Sequence, residues 1–193
     1  MYSRPIFNPA LEVDQTNYYW FESGFSAEEI KDIQKITKEL TFEPGTIVSN
    51  NFKDVRSSSI KWISPQEETS WIYDRLMDCI IEANNTWKFN IHTVLDDIQY
   101  TEYRGGGGHY DWHMDIGPGS IAHRKISVIV QLSDPSEYTG GELELNTGSN
   151  TIKVSAKKGS VILFPSFLQH RVTPVISGLR KSLVLWAGGD HYK

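Results

Sequence analysis

The second half of this chain, from Ile91 onward, consists of short β-prone runs separated by turn residues, and this pattern constrains the fold most strongly. The turns contain GGGG, DIGPG, SDPSEYTGG, NTGSN, KKG and VISG. Short strands divided in this way are typical of an antiparallel sandwich or jelly roll. The eight predicted strands are Asp97–Tyr103, Tyr110–Asp115, Ile126–Leu132, Glu142–Leu145, Thr151–Val154, Ser160–Phe164, His170–Val175 and Lys181–Ala187.

The first half carries two amphipathic helical patterns instead. Ser26 and Glu29 form a capping-box sequence, and apolar residues then keep helical spacing as far as Leu40. The segment Ser64-Pro65-Gln66-Glu67 repeats this signal, with Pro at the first helical position, and we expect its helix to end at Asn84-Asn85. Helices followed by a block of strands indicate an α+β arrangement and not a doubly wound parallel sheet.

The length of 193 residues suits a single domain over residues 1–193. We expect helical support over about residues 1–90 and a jelly-roll core over about residues 91–190. Gly45–Lys53, ahead of the strand-like Val55–Ile63, is predicted to be a long loop and therefore a candidate lid.

Composition excludes several classes of protein. The net charge of −5 disfavours a surface that binds phosphate backbones. No apolar run approaches the ~20 residues that span a bilayer, and the lone Cys79 cannot form an internal disulfide. We therefore expect a soluble cytoplasmic protein that binds neither nucleic acid nor membrane, and nothing in the residue pattern indicates an oligomeric state.

His113, Asp115 and His170 carry the chemistry that the sequence suggests. On a strand, residues i and i+2 point to the same face, so the His113 imidazole and the Asp115 carboxylate converge. His170, on a later predicted strand, adds a second imidazole. Two histidines and one carboxylate on one face of an octahedron suit non-haem Fe(II) and leave three positions open. A closed structural zinc site would require four protein ligands, usually including Cys.

Arg180 lies ten positions after His170, beyond the turn Ile176-Ser177-Gly178, on the next predicted strand. An antiparallel return at this turn would bring its guanidinium beside the metal residues. A buried Arg requires an anionic partner, because an unpaired buried charge is costly. The far carboxylate of a dicarboxylic co-substrate would supply two charge-assisted hydrogen bonds. A surface Arg on an edge strand is the alternative.

Three stretches around these residues together resemble a known family: TEYRGGGGHYDWHMD, LSDPSEYTGGELEL and KKGSVILFPSFLQHRVTPVISGLRKSLVLW. They are similar to the Fe(II)/2-oxoglutarate-dependent dioxygenases of the prolyl 4-hydroxylase-like group, and most similar to its microbial PKHD-type hydroxylases. The resemblance extends from about Val55 to Gly188. It implies a double-stranded β-helix (jelly roll) of about eight antiparallel core strands covered by N-terminal helices.

The resemblance also implies roles for individual residues. His113, Asp115 and His170 would bind the iron, and Arg180 would pair with the C5 carboxylate of 2-oxoglutarate. Tyr103, ten residues before His113, matches a Tyr that hydrogen-bonds this co-substrate in prolyl hydroxylases. The implied cofactors are Fe(II), 2-oxoglutarate and O2, with L-ascorbate as a further candidate.

Four other positions match the family more loosely. Arg124, Trp186 and Arg56 correspond to substrate contacts of prolyl hydroxylases, although each would also suit a structural role. Gln131 stands where some prolyl hydroxylases place a second Tyr against the C5 carboxylate. Because an amide also donates hydrogen bonds, we expect Gln131 to contact 2-oxoglutarate.

These features predict an enzyme that hydroxylates a prolyl residue in a peptide or protein and releases succinate and CO2. A hydroxylase of a free amino acid or small molecule is a second possibility, and a nucleic-acid demethylase of the AlkB type is a third. Against the third, the chain lacks that family's second Arg after the distal ligands, and its acidic balance disfavours phosphate contacts. A jelly-roll module that binds a metal without catalysis is the non-enzymatic alternative.

Overall fold

The computed structural model describes residues 16–45, 55–94 and 96–191. Two α-helices lie in its first half, α1 (Ala27–Lys38) and α2 (Ser70–Trp87). The predicted capping box of α1 is confirmed, because the Ser26 hydroxyl accepts a hydrogen bond from the Glu29 amide at 3.2 Å. The Glu29 carboxylate in turn accepts one from the Ser26 amide at 2.7 Å.

The predicted ends of α2 are wrong on both sides. Ser64 does not cap the helix, because its hydroxyl donates to the Asp97 carboxylate at 2.5 Å and the helix begins only at Ser70. Asn84 does not end it either. The Asn84 side chain accepts from the amide of Phe89 at 2.9 Å and donates to the carbonyl of that residue at 2.8 Å. These bonds hold the chain just beyond the helix end, and the helix continues past the predicted stop.

Thirteen strands are present among the described residues, and every pair of neighbours is antiparallel. They are β1 (Tyr19–Phe21), β2 (Glu43–Pro44), β3 (Arg56–Ser57), β4 (Ser59–Ile63), β5 (Ile91–Val94), β6 (Ile98–Arg104), β7 (Gly108–His113), β8 (Arg124–Gln131), β9 (Tyr138–Gly140), β10 (Leu143–Asn146), β11 (Thr151–Lys153), β12 (Val161–Pro165) and β13 (His170–Gly189).

The strands form two sheets that share β13. The first sheet has the order β1-β12-β8-β13-β6-β4-β2, and β5 pairs with the end of β13. In the second sheet, β10 and β7 flank the start of β13, and β9 pairs with its middle. β11 extends this sheet beyond β10, and β3 extends it beyond β7. Two antiparallel sheets joined in this way form a jelly roll.

Two hydrophobic cores lie on the two faces of the first sheet. Ile126, Val128 and Val130 of β8 face the core that contains the buried side of both helices. Ile129 faces the other core, which it shares with Leu143 of the second sheet. The two-residue period of the strands therefore separates a helix layer, the first sheet and the second sheet, with the second core between the sheets.

β13 differs most from the prediction. The sequence predicts two strands, His170–Val175 and Lys181–Ala187, joined by a turn at Ile176-Ser177-Gly178, whereas the structure has one continuous strand. The predicted turn is wrong because its glycine serves a close backbone approach. Gly178 has a φ of +79°, and a Cβ there would lie 2.1 Å from the Glu137 carbonyl oxygen. β13 therefore passes from the second sheet into the first without reversing.

No helix among the described residues combines the length and the apolar character that crossing a bilayer requires. Of the candidate lid Gly45–Lys53, residues 46–53 lie outside the described residues. The single domain over residues 1–193 also stays a prediction, because its two ends lie outside them.

Candidate active site

His113, Asp115 and His170 come together at one end of the second sheet. His113 ends β7, His170 begins β13, and the two are paired in the ladder with ring centroids 4.1 Å apart. Asp115 lies beyond the end of β7, contrary to the predicted strand Tyr110–Asp115, and its amide donates to the Ser166 carbonyl at 3.0 Å. The three side chains nevertheless converge, with one ligand atom of each within 4.8 Å of the others, so they can hold a metal ion.

Backbone carbonyls orient both imidazoles. Nδ1 of His113 lies 2.7 Å from the Asp111 carbonyl oxygen, and Nδ1 of His170 lies 3.0 Å from that of Leu168. A carbonyl only accepts, so each Nδ1 carries the proton and each Nε2 keeps its lone pair. The two Nε2 atoms lie 3.7 Å and 3.4 Å from the carboxylate oxygens of Asp115. Hydrogen bonds from Nδ1 to a backbone carbonyl, as both histidines make here, are typical of histidines that bind metal through Nε2.

Burial and hydrogen bonding favour the charge states that bind metal. Burial lowers the pKa of His113, and the neighbouring His170 lowers it further, which favours the neutral imidazole. Burial alone would raise the pKa of Asp115, but the two imidazoles and the Ser127 hydroxyl outweigh this effect and lower the pKa. Metal ligation requires such a neutral imidazole and an ionised carboxylate.

Arg180 lies farther along β13, and its guanidinium is incompletely bonded. The residue is only 1% exposed. Its terminal nitrogens donate to Gln131 Oε1 at 3.0 Å and to Ser182 Oγ at 3.5 Å, whereas Nε has no hydrogen-bond partner in the described part of the chain. Both partners are neutral, so neither of them balances the buried charge of the guanidinium.

Gln131 uses both ends of its side-chain amide within the protein. Its oxygen accepts from Arg180, and its Nε2 donates to the Ser155 carbonyl at 3.3 Å. In this structure Gln131 therefore orients the guanidinium.

The triad and Arg180 face one cavity of about 620 Å³. Tyr103 forms part of its wall, is 4% exposed, and has its ring centroid 5.4 Å from the Arg180 guanidinium carbon. A cleft lined mainly by apolar residues, with a few converging polar groups, is typical of a small-molecule site. Apolar residues from both sheets complete the wall: Ile60, Ile129, Leu143, Val172 and Val184.

Arg124 and Trp186 form one unit beside Asp115, and both line the cavity. The Arg124 guanidinium lies 3.7 Å from the centroid of the Trp186 ring and donates to the Asp96 carboxylate at 2.6 and 3.2 Å. It also donates to the backbone carbonyl of Asp115 at 3.3 Å. Trp186 is 6% exposed, and its indole N–H makes no hydrogen bond to the described residues. The indole is nevertheless close enough to Asp115 to help lower the pKa of that carboxyl.

Arg56 also lines the cavity, where it stacks on Tyr110, a residue that the sequence pattern does not predict as part of the site. Its guanidinium lies 4.7 Å from the centroid of the Tyr110 ring, and Tyr110 stacks on His113 with ring centroids 3.4 Å apart. His113 pairs with His170 and Tyr110 with Val172, so β7 has one more residue than β13 between these pairs. This β-bulge brings residues three apart to one face, which a two-residue period does not predict.

Known proteins match this chain in the region of the triad. A sequence profile of the 2OG-Fe(II) oxygenase superfamily matches residues 98–188. A PKHD-type hydroxylase from Teredinibacter turnerae is 40% identical over 139 residues, which cover 67% of this chain and 61% of that protein. A PKHD-type hydroxylase from Synechococcus sp. is 36% identical over 96 residues, covering 50% of this chain and 41% of that protein. The chain thus spans less than two thirds of the length of these curated relatives.

Solved structures share the fold. A Pseudomonas putida prolyl-4-hydroxylase has a TM-score of 0.72 at 20% identity, covering 93% of this chain and 96% of that chain. A Trichoplax adhaerens prolyl hydroxylase, solved with a hypoxia inducible factor oxygen degradation domain peptide fragment, has a TM-score of 0.75 at 19% identity, covering 92% and 86%. These likenesses confirm the predicted α+β jelly roll. Over residues 98–188 this chain is thus similar to the 2OG-Fe(II) oxygenase superfamily, and it shares the fold of the solved prolyl hydroxylases.

Proposed function

We propose that this chain is an Fe(II)- and 2-oxoglutarate-dependent dioxygenase that hydroxylates a prolyl residue in a peptide or protein. One observation carries the proposal: the triad and the incompletely bonded Arg180 face the same cavity. A keto acid with a second carboxylate needs these two features, because one end of it chelates a metal and the other is an anion.

In this proposal His113, Asp115 and His170 hold Fe(II), since their donor set is the one that non-haem Fe(II) oxygenases use. The bound iron would activate O2, of which one oxygen atom would enter the substrate and the other would enter the succinate formed from 2-oxoglutarate with loss of CO2. The protein keeps both imidazoles neutral and directs their Nε2 atoms toward Asp115. Three protein ligands leave the remaining coordination positions to the substrates.

Arg180 anchors the C5 carboxylate of 2-oxoglutarate in this proposal. Its free Nε–H supports the assignment, because a carboxylate would satisfy a donor that the described residues leave unpaired. Gln131 holds the guanidinium from the other side, and Tyr103 lies close enough to contribute to the same subsite.

A peptide substrate is favoured by the fold and by the residues at the cavity. One structural relative was solved with a peptide fragment, and another is a viral collagen prolyl hydroxylase. Trp186, stacked under Arg124, would form the wall beside the prolyl ring. Arg56 and Tyr110 provide a second polar and aromatic surface in the same cavity.

The proposal is tested by incubating the protein with Fe(II), 2-oxoglutarate, L-ascorbate and a library of proline-containing peptides. We expect iron-dependent succinate formation, with a mass increase of about 16 Da on a prolyl residue, the mass of the oxygen atom that hydroxylation adds. Asp115→Ala is the negative control. Asp111→Ala is the matched positive control, because the Asp111 side chain is exposed and only its backbone carbonyl contacts His113.

Other outcomes separate the alternatives. Succinate formation that responds to a free amino acid and not to peptides would identify a small-molecule hydroxylase. Metal binding without any succinate would indicate a non-catalytic module. A cytoplasmic location stays a prediction, which fractionation of the source cells would test.

A further inference from the structure

Two buried serines behind Asp115 have no role in the reaction proposed above. Ser127 of β8 and Ser166, which follows β12, are both 0% exposed. Ser127 Oγ lies 2.6 Å from Asp115 Oδ2 and 3.0 Å from Ser166 Oγ. A hydroxyl has one proton and a carboxylate only accepts, so Ser127 donates to Asp115 and Ser166 donates to Ser127. The three groups form one directed chain of hydrogen bonds.

We propose that this serine pair makes Asp115 bind the metal through a single oxygen. The Ser127 hydroxyl engages one lone pair of Oδ2, which favours Oδ1, 3.7 Å from His113 Nε2, as the ligand. Without the hydroxyl both oxygens could reach the metal, because Oδ2 itself lies 3.4 Å from His170 Nε2. The inference rests on the proposed iron site and concerns how the protein orients one of its ligands.

The number of oxygens that Asp115 supplies determines how many coordination positions stay open. Two imidazoles and one carboxylate oxygen leave three positions of an octahedron, enough for a chelating keto acid and one further ligand. A carboxylate that binds through both oxygens would fill one of these positions. The serine pair therefore keeps a position available for the second substrate, although neither serine touches a reacting atom.

The side-chain role of the serines is separable from their backbone roles. The Ser166 carbonyl accepts from the Asp115 amide at 3.0 Å, and the Ser166 amide donates to the Lys125 carbonyl at 2.9 Å. Ser127 is paired in the ladder with Phe164 of β12. An alanine at either serine keeps these backbone bonds, so substitution removes only the hydroxyl chain.

The test compares Fe(II) affinity under anaerobic conditions for Ser127→Ala, Ser166→Ala, the double variant and a matched control. We expect Ser127→Ala to weaken Fe(II) binding 10–100-fold, the usual effect of removing a group that orients a metal ligand. We expect Ser166→Ala to cause a smaller loss. The double variant should lose no more than Ser127→Ala alone, because Ser166 acts only through Ser127.

Ser133→Ala is the control, since Ser133 is 2% exposed and its hydroxyl makes two backbone hydrogen bonds, to the Leu179 carbonyl and from the Lys181 amide. We expect this variant to keep wild-type Fe(II) affinity, whatever its melting temperature. The visible absorption of bound Co(II) gives a second readout. It should change in Ser127→Ala, because a carboxylate that turns to bind through both oxygens changes the coordination number.

The outcomes distinguish the two proposals. If the wild type binds neither Fe(II) nor Co(II), the proposed function is wrong. If the wild type binds them and the Co(II) spectrum of Ser127→Ala is unchanged, the role of the serines is refuted, whatever the Fe(II) affinity of that variant. Equal losses in Ser127→Ala and Ser133→Ala would also refute it, because a general loss of packing would then explain both.

Discussion

At the scale of single residues, the site contains two buried charges that the fold treats differently. Asp115 has the Ser127 hydroxyl and two imidazoles around it, which together lower its pKa. Arg180 has only the neutral Gln131 and Ser182 as hydrogen-bond partners among the described residues. A buried cation with neutral partners is costly unless a ligand pairs with it. We therefore expect the two charges to act on different ligands, the metal and the co-substrate.

Arg180→Ala should raise the KM for 2-oxoglutarate with little effect on Fe(II) affinity. Each charge-assisted hydrogen bond contributes about 1.5–3 kcal/mol, and 1.4 kcal/mol corresponds to about a tenfold change, so the KM should rise at least about tenfold. Steady-state kinetics at saturating iron measure this. Arg104→Ala is the control, because Arg104 is largely exposed and pairs with Glu102 outside the cavity. An unchanged KM in Arg180→Ala would remove the residue from the co-substrate subsite.

At the scale of elements, the capping box of α1 gives stability that depends on pH. The Ser26 amide, which donates to the carboxylate, lowers the pKa of Glu29 below its ordinary value of 4.5. The folded state thus favours the ionised form. Its contribution is complete above a pH of about 4.5, the unfolded value, and is lost as the pH falls below it.

Glu29→Ala should lower the free energy of unfolding by about 1 kcal/mol at pH 7, and the difference from wild type should shrink toward pH 3. Urea titrations at the two pH values measure this. Glu28→Ala is the matched control, because Glu28 lies in the same first turn. Its carboxylate is exposed, and its ion pair with Lys31 is long, at 4.0 Å. A pH-independent difference for Glu29→Ala would show that the Glu29 charge, which bonds the Ser26 amide and pairs with Arg75 at 2.9 Å, does not stabilise the fold.

The crossing of β13 between the sheets depends on Gly178. An alanine there combines a positive φ with a Cβ 2.1 Å from a backbone oxygen, so Gly178→Ala should destabilise the protein by more than about 2 kcal/mol. Gly148→Ala is the control, since Gly148 has a φ of +89° but open space around it. Gly148→Ala should lower the free energy of unfolding only by the strain of a positive φ, about 1–2 kcal/mol. Chemical denaturation of both variants separates the clash from the strain.

Local signals in the sequence predict the elements whose partners are close in the chain. The cap of α1 is predictable because Ser26 and Glu29 are three residues apart. The same signal fails at Ser64, because Asp97, far along the sequence, takes its hydroxyl. The continuous β13 is missed for a similar reason, since the contact of Gly178 with Glu137 appears only in the fold.

The candidate site likewise contains residues that the sequence predicts and residues whose role depends on distant contacts. His113, Asp115 and His170 are recognisable from residue type and spacing, and the structure brings them together. Tyr110 is missed because it reaches His113 only through a bulge that the pairing with β13 creates. Ser127 is missed because a serine on a strand has no special spacing, and its role depends entirely on the distant carboxylate it contacts.

At the scale of the whole molecule, ligands that bind only the folded state should stabilise it. At a free metal concentration about 100 times the dissociation constant, the gain is about 2.7 kcal/mol, and a chain of this size shifts its melting temperature by about 2–4 °C per kcal/mol. We expect Fe(II) or Co(II) to raise the melting temperature by about 5–10 °C. A chelator should reverse the rise, and Asp115→Ala should show none. An equal rise in that variant would place the metal elsewhere.

The uninterrupted course of β13 has a consequence for selectivity among keto acids. His170 and Arg180 belong to one strand, paired on both edges along much of its length, so no hinge or loop adjusts their separation. Oxaloacetate, one carbon shorter, and 2-oxoadipate, one carbon longer, would each leave either the chelating end or the distal carboxylate misplaced. We expect CO2 release from both acids to be far slower than from 2-oxoglutarate. Comparable rates would show that the distance between His170 and Arg180 is not fixed.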